Sequence, residues 1–405
     1  GLGVVTPLGC DLKLFWDRIT SGQSGIRRIT KFDPTPMTTQ IAGEIVEFDP
    51  DLYVTKKEQK RMDPFCLYAS VAAKLAVTDS GLEWAKENPE RCGAVVGSGI
   101  GGLVTLEAQH SILMERGPSR CSPFMIPMMI SNIVAGQIAI DHNLRGPNYS
   151  VVSACATGAH CIGDSMRLIQ RGECDIVLAG GSEAAVTPLG ISGFCALRAL
   201  SQRNDDPPKA SRPFEKDRDG FVMSEGAAIV VLEDLEHARA RGARIYCEVA
   251  GFGMTCDAYH ITAPAEGGEG AARAMANAIR DAGLTIDDVD YVNAHGTSTE
   301  LNDRAETAAI KLALGETRAH KVMVSSTKSM TGHEMWMAGA SEIVYSMIMM
   351  QNSFVAPNIN FEEPDEVTAL LNIATKTTPK KIDTFLSNSF GFGGTNSALV
   401  VRRFK

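Results

Sequence analysis

Residues 151–158 read VVSACATG, an apolar extended run that closes in small residues with a helical pattern directly behind it. Ala159, Ile162, Met166 and Ile169 recur at i, i+3, i+7 and i+10, which predicts a helix with one apolar face ending near Gly172. A strand feeding a helix in this way belongs to α/β architecture and places Cys155 at the turn. Unpaired backbone N–H groups and the positive end of the helix dipole favour a thiolate there, so Cys155 is expected to be an activated nucleophile. From that string alone a protease, a redox centre and a core contact all stay open.

The strand-then-helix theme repeats on both sides. Short β-branched runs alternate with helical patterns at CGAVVG (92–97), NYSVVSA (148–154), DIVLAGG (175–181), AAIVVLE (227–233), VDYVNAH (289–295), KVMVSS (321–326) and SALVVRR (397–403). Such alternation predicts buried sheets covered by helices. A midline near 247–256 precedes the helical run GAARAMANAIRDAGL (270–284), dividing the chain into residues 1–250, with Cys155, and 251–405, with two conspicuous histidines. The charged, proline-containing segment SQRNDDPPKASRPFEKDRDG (201–220) reads as a long surface loop.

At roughly 100 to 200 residues per domain, 405 residues make two or three units or one duplicated fold. Hydrophobic residues at 44% and charged residues at 21% are a globular composition. The net charge of -9 argues against general nucleic-acid binding, which needs a surplus of Lys and Arg. The 10 cysteines are scattered, with no CxxC and no Cys/His cluster at zinc spacing, so a reducing cytosol is expected and neither structural metal nor disulfide framework. No apolar run reaches the roughly 18 residues of a membrane span; the nearest is interrupted by Ser341, Glu342 and Ser346. The chain opens at Gly1 without Met, so upstream residues are expected and an organellar address stays open.

His295 lies in NAHGTST (293–299), where a strand pattern enters a hydroxyl-rich turn; a core histidine is the competing reading. His333 lies in STKSMTGHE (326–334), with Lys328 before it and Glu342 after it; a helix cap competes. Gly97, Gly99 and Gly102 make a GxGxxG, read as close backbone packing because no carboxylate follows where a dinucleotide ribose needs one. Ser325 and Lys328 form an SxxK that is set aside because the serine ends a strand. SNSFGFGGTN (387–396) places Phe392 between Gly391 and Gly393, a turn able to offer a bare backbone N–H.

Together these strings resemble the β-ketoacyl-[acyl carrier protein] synthases of the thiolase superfamily, on the side of the type II condensing enzymes of fatty acid synthesis. The likeness also runs through AGGSEA (179–184), RPFEKDRDGFVMSEGA (212–227) and DAYHITAP (257–264), and covers essentially the whole chain. It implies an α/β, thiolase-like, five-layered αβαβα fold of two similar halves and a homodimer. It implies an acyl carrier protein as partner, whose phosphopantetheine carries the substrates, and no further cofactor or metal. Cys155 would take an acyl chain, malonyl carrier protein would lose CO2, and its enolate would attack the thioester.

The resemblance also assigns roles. The backbone N–H groups of Cys155 and Phe392 receive the tetrahedral oxyanion, and His295 and His333, both neutral, donate to the enolate. Lys328 and Glu342 support the histidines, and Thr297 and Thr299 bind the pantetheine arm. Ile100 and Phe194 line the acyl pocket, with Met125 entering from the partner subunit, and Lys57, Lys60 and Arg61 form the docking surface for the carrier protein. One stretch departs from the family. Where Leu and small residues usually follow the Gly-His pair, this chain has Glu334, Met335, Trp336 and Met337. Trp336 is expected to narrow a channel or fill a dimer contact, and Glu334 to bias His333 towards protonation. A thiolase would need a further cysteine near the C-terminus, and none follows Cys256. The alternative kept is a non-catalytic or polyketide-type ketosynthase partner subunit, which typically lacks the cysteine.

Overall fold

A computed structural model describes residues 1–405. Five strands form one sheet: β1 (Leu2–Val5), β2 (Cys92–Gly97), β3 (Asn148–Tyr149), β4 (Ile176–Glu183) and β5 (Gly226–Glu233), in the order β1-β5-β4-β2-β3. Six form the other: β6 (Cys247–Cys256), β7 (Tyr291–Asn293), β8 (Met323–Ser325), β9 (Asn372–Ile373), β10 (Thr384–Gly391) and β11 (Thr395–Arg403), in the order β9-β8-β7-β10-β11-β6. Counted from β1 and from β6, the pairings match: two antiparallel, then parallel. The second sheet therefore repeats the first, with β7 in the place of β2 and β8 in the place of β3.

Helices complete five layers. On the outer face of the first sheet lie α1 (Pro64–Ser80) and α2 (Ile133–His142). Between the sheets run α3 (Thr157–Gln170) and α7 (Ala338–Asn352), whose side chains share one core with both sheets, including Ile162, Val230, Ile343, Tyr291 and Phe385. The far face of the second sheet carries α5 (Glu269–Asp281) and α6 (Glu300–Leu314). A helix sandwiched between two sheets must be apolar or small all round, and α7 is buried from Ala338 through Met350. The two central helices cross through glycine: a Cβ on Gly158 would lie 2.7 Å from Ala340 N, and one on Gly339 2.8 Å from Ala159 N.

Four of these strands have no counterpart among the seven runs: β1, β6, β9 and β10. β6 occupies the stretch taken as a midline, where Gly251 and Gly253 carry no side chain towards a neighbour. Their hydrogens face α5 instead: a Cβ at either position would meet the carbonyl oxygen of Ala278 at 2.2 Å or of Ala274 at 2.1 Å. NYSVVSA is a strand only at Asn148–Tyr149; the backbone then leaves the sheet to present Cys155. Residues 201–220 are a surface loop only in part, with Gln202, Asp205, Asp206, Pro208, Lys209, Lys216, Asp217 and Asp219 exposed. Ser201, Ala210, Ser211, Phe214, Glu215, Arg218 and Gly220 are buried, because the charges are paired: the Arg218 guanidinium lies 3.7 Å from Asp303 and 2.9 Å from Asp365. No helix is long and apolar enough to cross a membrane.

Candidate active site

The repeat brings the ends of β3, β7 and β8 to one place. Cys155 sits just before α3, whose first residue is Thr157, and His333 stands between β8 and α7 in the corresponding place of the second half. His295 follows β7. Ligand-capable atoms of Cys155, His295 and His333 lie within 4.8 Å of one another. They stand together in a cavity of ≈ 420 Å³, also lined by Phe194, Thr297, Thr299, Phe392, Met335 and Trp336.

The hydrogen bonds fix which nitrogen carries each proton. His333 Nε2 is 3.1 Å from Cys155 Sγ, while its Nδ1 accepts from the Met335 backbone N–H at 3.2 Å. The Nε2–H tautomer follows, with its donor aimed into the cavity. Lys328 Nζ lies 3.4 Å from His295 Nδ1, so His295 too keeps its proton on Nε2. The rings stand nearly perpendicular, 87° apart with centroids 5.4 Å from each other. Burial holds both imidazoles well below their usual range, and the Lys328 charge adds to this. Both are neutral donors at physiological pH.

This arrangement is unsuited to a metal, although a thiol and two imidazoles make a plausible ligand trio. A ligating histidine donates its other ring N–H to an acceptor. Here each Nδ1 faces a donor, which holds the proton on the nitrogen that a metal would need.

The thiol is not the resting thiolate expected from the turn. Burial pushes it up to about 11, against the Lys328 charge and the backbone N–H groups of Cys155 and Phe392, which face the sulfur. α3 starts two residues on, so its dipole does not outweigh the loss of water. Lys328 is itself buried and paired with Glu342, whose carboxyl burial lifts to about 8. Glu334 also differs from expectation. Its carboxylate turns away from the His333 ring and accepts from Ser341 Oγ at 2.5 Å and Tyr345 Oη at 2.6 Å, so it does not promote protonation of His333.

Among the other residues singled out, Thr297 and Thr299 line the cavity with their hydroxyls 2.9 Å apart. Phe194, on α4 (Pro188–Ala196), lines it as well. Ile100 does not: it is exposed and outside the cavity lining, while Met125, expected in the partner's pocket, opens a short helix, Met125–Met129. Lys57, Lys60 and Arg61 are exposed in and after the short helix Lys56–Gln59, with the Arg61 guanidinium 4.9 Å above the Phe124 ring.

Two supports went unread in the sequence. Glu306 accepts from the backbone N–H groups of His295 at 2.8 Å and Gly296 at 2.7 Å, and Asp303 from that of Thr297 at 3.0 Å. Their signal was acidic residues three apart behind the histidine string, which resembles a solvated helix face. His333 is gripped through its backbone, its N–H donating to Val222 O at 2.7 Å and its carbonyl accepting from Ser224 N at 2.9 Å.

Comparisons with known proteins agree with this geometry. Residues 1–238 match the family described as beta-ketoacyl synthase, N-terminal domain, and residues 246–362 its C-terminal domain. The chain is 49% identical over 405 residues to the 3-oxoacyl-[acyl-carrier-protein] synthase 2 of Synechocystis, covering 100% of this chain and 97% of that one. The ishigamide ketosynthase/chain length factor superposes with a TM-score of 0.93 at 32% identity, covering 100% of this chain and 98% of that one. A type II polyketide ketosynthase solved in complex with its acyl-carrier protein gives 0.90 at 31% identity, with coverage of 100% and 98%. The chain belongs to the β-ketoacyl synthase family, and its two halves make the thiolase-type fold of that family.

Proposed function

We propose that the chain condenses malonyl-[acyl carrier protein] with an acyl chain carried on Cys155, lengthening it by two carbons in fatty acid elongation. The observation that carries this reading is the convergence of the Cys155 sulfur, two Nε2–H donors and two backbone N–H groups at the foot of one cavity.

The chemistry proceeds in two halves. Cys155 Sγ attacks the thioester carbonyl of the acyl carrier protein; the C–Sγ bond forms, the bond to the pantetheine sulfur breaks, and the thiol proton passes to that sulfur. The N–H groups of Cys155 and Phe392 receive the tetrahedral oxyanion, each such donor being worth roughly 3 to 4 kcal/mol. Malonyl carrier protein then binds, its C–CO2 bond breaks, and CO2 leaves. The thioester oxygen takes the enolate charge against the Nε2–H groups of His295 and His333. The enolate carbon bonds to the acyl carbon, the C–Sγ bond breaks, and the sulfur regains a proton from solvent. No metal or further cofactor enters, and Lys328 and Glu342 orient His295.

Thr297 and Thr299 hydrogen-bond the pantetheine arm in this reading, supported by their hydroxyls lining the cavity. Lys57, Lys60 and Arg61 are the docking surface for an acidic carrier protein; Lys57 and Lys60 have no carboxylate partner of their own, which supports this. A homodimer is proposed in which the partner covers the exposed Phe124, Ile126 and Ile130, and Met125 reaches towards the partner's acyl pocket. The cytoplasm is the proposed location, supported by cysteines that are all free.

The test is incubation with radiolabelled acyl carrier protein, then malonyl carrier protein. Label on Cys155, absent from Cys155→Ala, followed by a product two carbons longer is the expected result. No label on Cys155 would leave the non-catalytic partner reading.

A further inference from the structure

We infer that Trp336 is the end wall of the acyl channel, restricting the chain on Cys155 to short acyl groups. This rests on the condensing function proposed above.

One side of the Trp336 side chain lines the same cavity as Cys155, Phe194 and Met335. The other lies on Gly99: a Cβ there would fall 2.3 Å from Trp336 Cδ2 and Cε2. Glycine is thus the residue that lets the indole rest on the backbone. Ile100, next in the chain after Gly99, is exposed and does not line the cavity. The indole stands between the thiol and the turn that carries Ile100.

Both walls around it are braced. The buried Glu183 carboxylate accepts from Ser98 Oγ at 3.2 Å, Gly99 N at 3.1 Å and Ile100 N at 3.3 Å, and Gly102 N donates to Met129 O at 3.0 Å. On the indole's own side, Glu334 is clamped to Ser341 and Tyr345, and Met335 holds a left-handed φ of 52° with its N–H on His333 Nδ1. A Cβ on Gly181 would approach Met337 Cα to 3.1 Å and Trp336 O to 3.2 Å, so the turn is packed from beneath. The turn cannot carry the indole away without disturbing the N–H that fixes the His333 tautomer, and the Gly99 backbone closes off one side of the ring. The bulk is therefore a stop and not a gate, and the acyl chain has to end against it.

The measurement is kcat/KM for condensation across saturated acyl carrier proteins of rising even chain length, for the wild type, Trp336→Gly and Trp336→Leu. Each buried methylene raises binding by about fourfold. In the wild type that gain stops at a short chain and reverses beyond it. In Trp336→Gly it continues over several more methylenes, and Trp336→Leu, which keeps an apolar side chain on the turn, falls between. A wild type that accepts short and long chains alike, or a chain-length profile that both variants leave in place, would overturn the inference. A wild type that condenses no acyl chain of any length would overturn the proposed function, and this inference with it.

Discussion

Glu334→Gln tests the charge state at the heart of the central layer. Both carboxylate oxygens are committed, one to Ser341 Oγ and one to Tyr345 Oη, and all three residues are buried. Burial lifts the carboxyl from 4.5 to about 7, against the two hydroxyls and the Lys328 charge. A folded-state value above the unfolded one means that the native state holds the proton more tightly. Stability is then fully present below 4.5, falls as pH rises towards about 7, and is flat above it. At about 1.4 kcal/mol per tenfold, the rise from 4.5 to about 7 removes about 3 kcal/mol from the native state. Gln has nearly the same shape and no titrating proton, and the hydroxyls can rotate to meet its amide. Glu183 and Glu306 are lifted in the same direction and slope both proteins alike, whereas Glu342 is raised in part by the Glu334 charge, so the difference between the two proteins reads residue 334 together with its effect on Glu342, both in the same direction. The assay is denaturant unfolding of both proteins between about pH 5 and about pH 8. The Gln variant should gain on the wild type by up to about 3 kcal/mol across that window. Parallel stability curves would refute the reasoning. The pH profile of malonyl decarboxylation should be the same in both proteins, since His333 Nδ1 faces the Met335 N–H and not Glu334.

Three further outcomes follow from the geometry. Lys328→Met deprives His295 Nδ1 of its donor, and loss of one oriented enolate donor should slow malonyl decarboxylation by about 10²- to 10³-fold; it should also move thiol alkylation by iodoacetamide to higher pH than in the wild type, because the Lys328 charge lowers the thiol. Wild-type decarboxylation in that variant would show that Lys328 orients nothing. His237 bridges Glu87 at 2.8 Å and Glu233 at 2.6 Å and is raised by them, so its contribution is present below 6.5 and lost as pH rises through the folded value. Because its side chain is 28% exposed, His237→Gln should cost no more than about 1 kcal/mol, with a melting-temperature gap that closes at alkaline pH; a gap that widens there would be the wrong sign. Lys60→Glu combined with Arg61→Glu should raise the KM for malonyl carrier protein by about tenfold or more and spare small thioesters, and equal loss with both substrates would rule out docking at this face.

Much of the site was legible because its signals are local. A strand pattern running into small residues and then a helix locates Cys155, and strings such as NAHGTST and TGHE mark positions where histidine is an odd choice for a core. What stayed hidden depends on partners distant in sequence. Nothing near Val222 and Ser224 reveals that their backbone grips His333, and nothing near Gly251 reveals that α5 lies against it. The 201–220 segment misled because charge normally marks solvent, whereas Arg218 is buried between Asp303 and Asp365. The thiolate expectation counted the helix dipole but not the enclosure of the sulfur, which only the packed halves create. The direction of Glu334 is set by the first turns of α7, where Ser341 and Tyr345 wait for it.

The repeat of the fold explains why one ammonium can serve three groups. Cys155 and His333 occupy corresponding places at the entrances to α3 and α7, and Lys328 leaves β8 as the chain before Cys155 leaves β3. Burial alone would act on the three reacting groups in conflicting ways. It keeps His295 and His333 uncharged, as enolate donors that do not titrate near neutrality require, but it also keeps Cys155 protonated. A nearby positive charge works against the conflict without removing it, since it opposes charge on an imidazole and favours charge on a sulfur. Lys328 acts in the required direction on all three, lowering His295, His333 and Cys155 together. Glu342, lifted to about 8 in the same buried pair, limits how far that charge reaches and raises the thiol in turn. Glu342→Gln should accordingly make the thiol easier to ionise while leaving both histidines neutral, seen as faster iodoacetamide alkylation at a fixed alkaline pH. Slower alkylation would mean that Glu342 acts by holding Lys328 in place, with its own charge of no consequence to the sulfur.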